Sequence, residues 1–123
     1  MRVGFIGCGN VGGKLAGSLI RNGFDVVVRD LDPDAVRPFL DGGAGWANSP
    51  REMAEGCDVV VTCLPSPAVC STVMEGDDGV LAGLSVGKVW MEMSTTDAAE
   101  VRRLGSLVEA TGALAVDCPV SGG

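Results

Sequence analysis

Short apolar runs alternate with stretches of helical apolar periodicity along the whole chain. Val3 to Ile6, residues 24–29 around Val26-Val27-Val28, Asp58 to Thr62, Lys88 to Met93 and Leu114 to Asp117 read as strands, and Gly45-Trp46-Ala47 as a brief one. Val59-Val60-Val61 is continuous rather than alternating, the pattern of a parallel strand covered on both faces. The spacing of Val11, Leu15, Ala16 and Leu19 predicts a helix over about residues 10–22. Gly13 and Gly17 fall inside it, and tight packing against the sheet is the expected compensation. Asp32-Pro33 opens a second helix with Val36, Phe39 and Leu40 on its apolar face. Pro38 is poorly placed within it and predicts an irregular helix, stopped by Gly42-Gly43. Ser49-Pro50-Arg51-Glu52 is a capping box, and Ser66-Pro67 caps a helix running to about Met74. Asp97 with Glu100 opens the last helix, which carries Val101, Leu104, Leu107 and Val108 to about Ala110. Strands alternating with helices in this way predict an α/β fold with a doubly wound parallel sheet of six strands.

The junction of the first strand and first helix carries the chemistry. Gly7-Cys8-Gly9-Asn10-Val11-Gly12 is a G-x-G-x-x-G loop, and Asp30 closes the second strand 18 positions after Gly12. Gly7 allows a sharp turn, Gly9 leaves the backbone open to a pyrophosphate, and Gly12 lets the helix pack close to the strand. The helix N-terminus offers N–H groups and a positive dipole end to phosphates, and Asp30 an acceptor for ribose hydroxyls. A glycine-rich turn without a ligand is the plainer reading. Strand, helix and spaced acid together favour a Rossmann-type dinucleotide site.

Composition narrows this further. A chain of 123 residues is one domain with enough length for a real core. The net charge of −7 favours neither nucleic acid nor an anionic membrane as partner, and no apolar run is long enough to span a bilayer. The five cysteines form no C-x-x-C pair and histidine is absent, so no metal site is expected, and a reducing cytoplasm fits. Hydride transfer also needs a proton donor or base, and the chain has neither histidine nor tyrosine. Lys14 lies within the first helix and Lys88 at the start of the fifth strand, away from the glycine loop; neither is well placed. Glu92 and Asp117, near strand ends, order loops as readily as they move protons. Cys8, Cys63 and Cys118 on the same edge read as small apolar side chains before they read as nucleophiles. Ser94-Thr95 and Ser121-Gly122-Gly123 offer hydroxyls and bare N–H groups at strand ends, suited to a carboxylate, or in the first case to capping the next helix.

Three stretches, Gly4 to Gly12, Asp58 to Pro65 and Asp117-Cys118-Pro119-Val120-Ser121-Gly122-Gly123, with Ser94-Thr95 between, resemble the β-hydroxyacid dehydrogenase family of 3-hydroxyisobutyrate dehydrogenase. The resemblance covers the whole chain, and the last stretch is its most specific part. It implies that Gly7, Gly9, Asn10, Val11, Gly12 and Asp30 hold the cofactor, that Leu64 and Pro65 line the adenosine side, and that Thr95 lies near the nicotinamide. Ser121, Gly122 and Gly123 would hold the carboxylate of a small hydroxy acid. NADP-preferring relatives commonly carry Asn-Arg-Thr where this chain has Asp30-Leu31-Asp32, so NAD is expected over NADP, with Arg29 as the contrary signal. Ser18, Ala98 and Cys118 replace a usual Asn, Pro and Ala. The family's catalytic lysine and its helical catalytic and dimer domain belong beyond the Ser-Gly-Gly motif. The chain is therefore expected to be the cofactor half alone, truncated after strand six, inactive, and inclined to self-associate or to pair with the missing domain. A stand-alone dinucleotide sensor, or half of a split enzyme, is the alternative.

Overall fold

A computed structural model describes residues 1–93 and 97–118. Strands β1 (Arg2–Ile6), β2 (Asp25–Arg29), β3 (Gly45–Trp46), β4 (Val59–Thr62), β5 (Val89–Glu92) and β6 (Leu114–Asp117) form one sheet in the order β3-β2-β1-β4-β5-β6. Every pairing is parallel. Helices α1 (Asn10–Arg21), α2 (Pro33–Asp41), α3 (Pro50–Gly56), α4 (Pro67–Glu75), α5 (Val80–Gly83) and α6 (Ala98–Ala110) connect them. The chain winds outward from β1 in one direction and from β4 in the other, so the loops after these two adjacent strands part to opposite faces. That divergence opens a crevice at the C-terminal edge of the sheet.

Alternation along the strands feeds two cores. Val3, Phe5, Val26, Val28 and Val61 pack with Ala16 of α1 and Val36 of α2. Ile6, Val27, Val60 and Trp90 face the other way, onto Met53 of α3, Met74 of α4, Val80 of α5 and Leu104 and Val108 of α6. Both faces of the sheet are thus covered, as the apolar Val59-Val60-Val61 run requires. The second core contains one polar cluster. Trp90 Nε1 donates to Thr62 Oγ1 (2.9 Å), and Thr62 Oγ1 donates to buried Glu92 Oε2 (2.8 Å), which also accepts from Cys70 Sγ (3.0 Å). It joins β4, β5 and α4 just below the crevice.

Several local details differ from the sequence reading. α2 is a continuous helix through Pro38, which sits five residues after Pro33 with Asp32 capping the Asp34 N–H (3.0 Å). Phe39 and Val36 anchor the helix on the sheet, and that burial outweighs the lost backbone bond. Gly13 and Gly17 of α1 face the Phe39 ring of α2 rather than the sheet; a Cβ on Gly13 would stand 3.2 Å from Phe39 Cζ. The one-turn helix α5 is not visible in the sequence pattern, being too short to show a period. β3 stops at Trp46, one residue before the expected end, and Ala47 is buried in the second core.

Candidate functional site

The turn from β1 into α1 is built on contacts that no side chain would permit. Gly7 has φ of +94°, and a Cβ there would run into the Cys63 carbonyl; a Cβ on Gly12 would run into the Gly7 carbonyl. α1 therefore rests directly on the ends of β1 and β4. Around Gly9 the situation is reversed, with nothing within 4 Å of where a Cβ would stand. Gly9 is the N-cap of α1 and has no side chain to cap it, whereas Asp32, Ser49, Ser66 and Asp97 cap α2, α3, α4 and α6. The helix thus presents its N-terminal dipole end and backbone to open space, the arrangement that receives anions. Asn10 and Val11 form its first turn.

Asp30 directly follows the neighbouring strand β2 and straps two loops together. Its Oδ2 accepts from the Cys8 N–H (2.7 Å) and its Oδ1 from the Asp32 N–H (3.0 Å). A carboxylate oxygen has a second lone pair, so both retain capacity for a ligand hydroxyl. Arg29, one residue earlier, is turned toward β3. Its guanidinium carbon lies 5.4 Å from the Trp46 ring centroid and its Nη1 donates to the Ala47 carbonyl (2.9 Å).

These loops enclose an open cavity of about 810 Å³, within the range of a small-molecule or cofactor site. Gly7, Gly9 and Val11 form one wall, Arg29 and Asp30 a second, and Leu64 and Pro65 a third. Gly12 lies beneath, against Gly7. Thr95 with Ser94, and Ser121, Gly122 and Gly123, fall outside the described residues. The structure also brings in a wall that the sequence reading did not assign: Val69, Thr72 and Val73 of α4, with Gly76 and Asp78 beyond it. The i, i+3, i+4 spacing of Val69, Thr72 and Val73 is a helix stripe that could have been read as a second exposed face. Leu31 at the rim is 82% exposed, an apolar side chain held beside an apolar hollow.

Cys8, Cys57, Cys63 and Cys70 are poor nucleophiles at neutral pH. Burial pushes Cys8 up to about 12 from an ordinary 9.0; the Asp30 charge adds to this, and the Arg29 backbone N–H opposes it. Burial likewise raises Cys63, which lines the cavity, against the Gly12 N–H that favours its thiolate. Cys57 and Cys70 are raised by the same cause. Lys88 is remote from the cavity, its Nζ donating to the Glu55 (3.0 Å) and Cys57 (2.7 Å) carbonyls. Glu92 is held inside the polar cluster below the crevice, and Asp117 is exposed on β6. Among the described residues no cluster of His, Cys, Asp and Glu could hold a metal ion, and no helix is long and apolar enough to cross a membrane.

Residues 2–123 match the sequence model described as the NAD binding domain of 6-phosphogluconate dehydrogenase. A probable mitochondrial 3-hydroxyisobutyrate dehydrogenase of Dictyostelium discoideum is 40% identical over 121 residues, covering 98% of this chain and 38% of that protein. A 3-hydroxyisobutyrate dehydrogenase structure from Salmonella typhimurium superposes with a TM-score of 0.90 at 33% identity, over 100% of this chain and 43% of that one. A Mycobacterium tuberculosis 3-hydroxyisobutyrate dehydrogenase structure with L-serine gives 0.89 at 30% identity, over 99% and 41%. The chain spans about two fifths of the length of these relatives. It belongs to the NAD binding domain family of 6-phosphogluconate dehydrogenase and is an NAD(P)-binding domain similar to that of 3-hydroxyisobutyrate dehydrogenases.

The buried thiols carry a pH signature. Because the folded state holds the Cys8 proton more tightly than the unfolded chain, stability is unaffected below pH 9.0 and falls as pH rises toward 12. The chain has no tyrosine to confuse the reading. Urea midpoints are expected to fall between pH 8.5 and pH 11, and Cys8→Ala to reduce the drop; equal slopes in the two proteins would contradict the assignment.

Proposed function

We propose that the cavity holds NAD and that residues 1–123 act as the cofactor half of an oxidoreductase interconverting a small 3-hydroxy acid and its semialdehyde or keto acid. The observation that carries the cofactor reading is Gly9: open space over an uncapped helix N-terminus, one loop away from the Asp30 carboxylate. In this reading the backbone at Gly9, Asn10 and Val11 takes the pyrophosphate, with Gly7 and Gly12 fixing its position. Asp30 accepts from the adenosine ribose, and Leu31, Leu64, Pro65 and Val69 cover the adenosine side. Thr95 would sit beside the nicotinamide, and Ser121, Gly122 and Gly123 would take the substrate carboxylate. Bound NAD supplies the hydride acceptor. The proton relay is assigned to no residue of this chain, since Lys88 is remote and burial holds the Cys8, Cys57, Cys63 and Cys70 thiols above the range of a useful acid or base. It would come from a helical catalytic and dimer domain following residue 123, and the substrate is that domain's to select.

NAD is favoured over NADP on electrostatic grounds. A 2′-phosphate would enter a cavity lined by Asp30, Asp32 and Asp78, and the one cation among its described lining residues, Arg29, is tied to Trp46 and Ala47. The five cysteines are all free thiols, which supports a reducing compartment, here taken as the cytoplasm. The relation of the chain to partners follows from β6. This edge strand leaves Leu114 65% and Val116 40% exposed, so it is assigned a role in self-association or in docking the missing domain.

Calorimetric titration of the chain is expected to give saturable NAD binding, tighter than NADP. Gly9→Trp should abolish it, and Asp30→Ala should weaken it about tenfold, the loss of a charge-assisted hydrogen bond. No turnover of 3-hydroxy acids is expected, and steady NADH production by chain free of other enzymes would contradict the cofactor-half reading. Sedimentation velocity should show reversible association that Leu114→Lys with Val116→Lys reduces. A wild-type chain that stays monomeric at high concentration would remove the self-association role of β6.

A further inference from the structure

Arg29 is the feature that the cofactor reading leaves unused. An arginine lining a nucleotide cavity is a natural ligand of a phosphate, and Arg29 is the residue before the carboxylate that would hold the adenosine ribose. Left free, it would offset the Asp30 charge toward a 2′-phosphate. It is held elsewhere. Its guanidinium lies over the Trp46 ring at 5.4 Å and donates to the Ala47 carbonyl at 2.9 Å. The ring is itself oriented by a hydrogen bond from Trp46 Nε1 to Asn48 Oδ1 (3.2 Å). Trp46, Ala47 and Asn48, at and just after the end of β3, thus keep the guanidinium engaged.

We propose that Trp46 is a selectivity-determining residue: by stacking under Arg29 it withholds that cation from the adenosine 2′ position and so disfavours NADP. The proposal rests on the cofactor reading and deepens it. Trp46 is not part of the cavity wall, so its effect must pass through Arg29. The arrangement also sets its own limit. Arg29 reaches a phosphate only by leaving the ring and the carbonyl, so removing the ring improves NADP binding by no more than the strength of that hold. A cation–π contact at a half-exposed site corresponds to about fivefold.

The test compares NAD and NADP affinities of the wild-type chain with those of Trp46→Ala, Trp46→Leu, Trp46→Phe and the double variant Trp46→Ala with Arg29→Ala. Trp46 is 41% exposed on an edge strand, and Trp46→Leu keeps apolar bulk there should Ala loosen β3. The expected result is NADP binding about fivefold tighter in the Ala and Leu variants, with NAD affinity changed by less than about twofold. Trp46→Phe, which keeps a ring face, should retain most of the wild-type ratio, and the double variant should lose the gain. An unchanged NADP/NAD ratio in Ala and Leu variants that still bind NAD would overturn the role of Trp46 and leave the cofactor reading standing. A gain that survives loss of Arg29 would overturn it equally. A wild-type chain that binds neither nucleotide would overturn the cofactor reading, and this inference with it.

Discussion

Everything at the crevice follows from two missing Cβ atoms. Gly7 turns with φ of +94° where its neighbour is the Cys63 carbonyl, and Gly12 packs on the Gly7 carbonyl. With any larger residue at either position, the first turn of α1 would be lifted off the sheet. Because it is not, the helix N-terminus lies at the C-terminal edge of β1, where the loops after β1 and β4 part to opposite faces. The same close approach leaves Gly9 facing open space. A shift of α1 by the width of a methyl group would displace the helix dipole, the loop backbone and the cavity wall together.

The second constraint is electrostatic. Asp30 fixes the glycine loop through the Cys8 N–H while remaining in the cavity wall, so one carboxylate shapes the loop and sets the sign of charge beside it. The opposite wall, from Leu64 to the Val69 and Val73 stripe of α4, is apolar and is anchored from behind by the Thr62, Glu92 and Cys70 cluster. An anion-receiving helix end, an acid and an apolar slab therefore meet at one opening. A dinucleotide presents the same sequence of groups: pyrophosphate, ribose and aromatic base.

Much of this was legible in the chain because each feature is local. The glycine loop follows a strand, the caps Asp32, Ser49, Ser66 and Asp97 open the helices the pattern predicts, and the Val59-Val60-Val61 run announces a strand buried on both faces. What the sequence hides is non-local or too short to repeat. α5 is a single turn, and Pro38 persists in α2 because tertiary burial of Val36 and Phe39 overrides helix propensity. The α4 stripe of Val69, Thr72 and Val73 gains its meaning only when the fold places it opposite the glycine loop. In the sequence Arg29 is a contrary signal for cofactor choice, and only the pairing of β2 with β3 brings Trp46 close enough to occupy it.

The most direct measurement is a crystal structure of the chain grown with NAD. The account predicts pyrophosphate oxygens within hydrogen-bonding distance of the Asn10 and Val11 N–H groups, passing over Gly9, with the adenosine ribose on Asp30. A dinucleotide bound elsewhere, or one whose pyrophosphate avoids the α1 N-terminus, would contradict it.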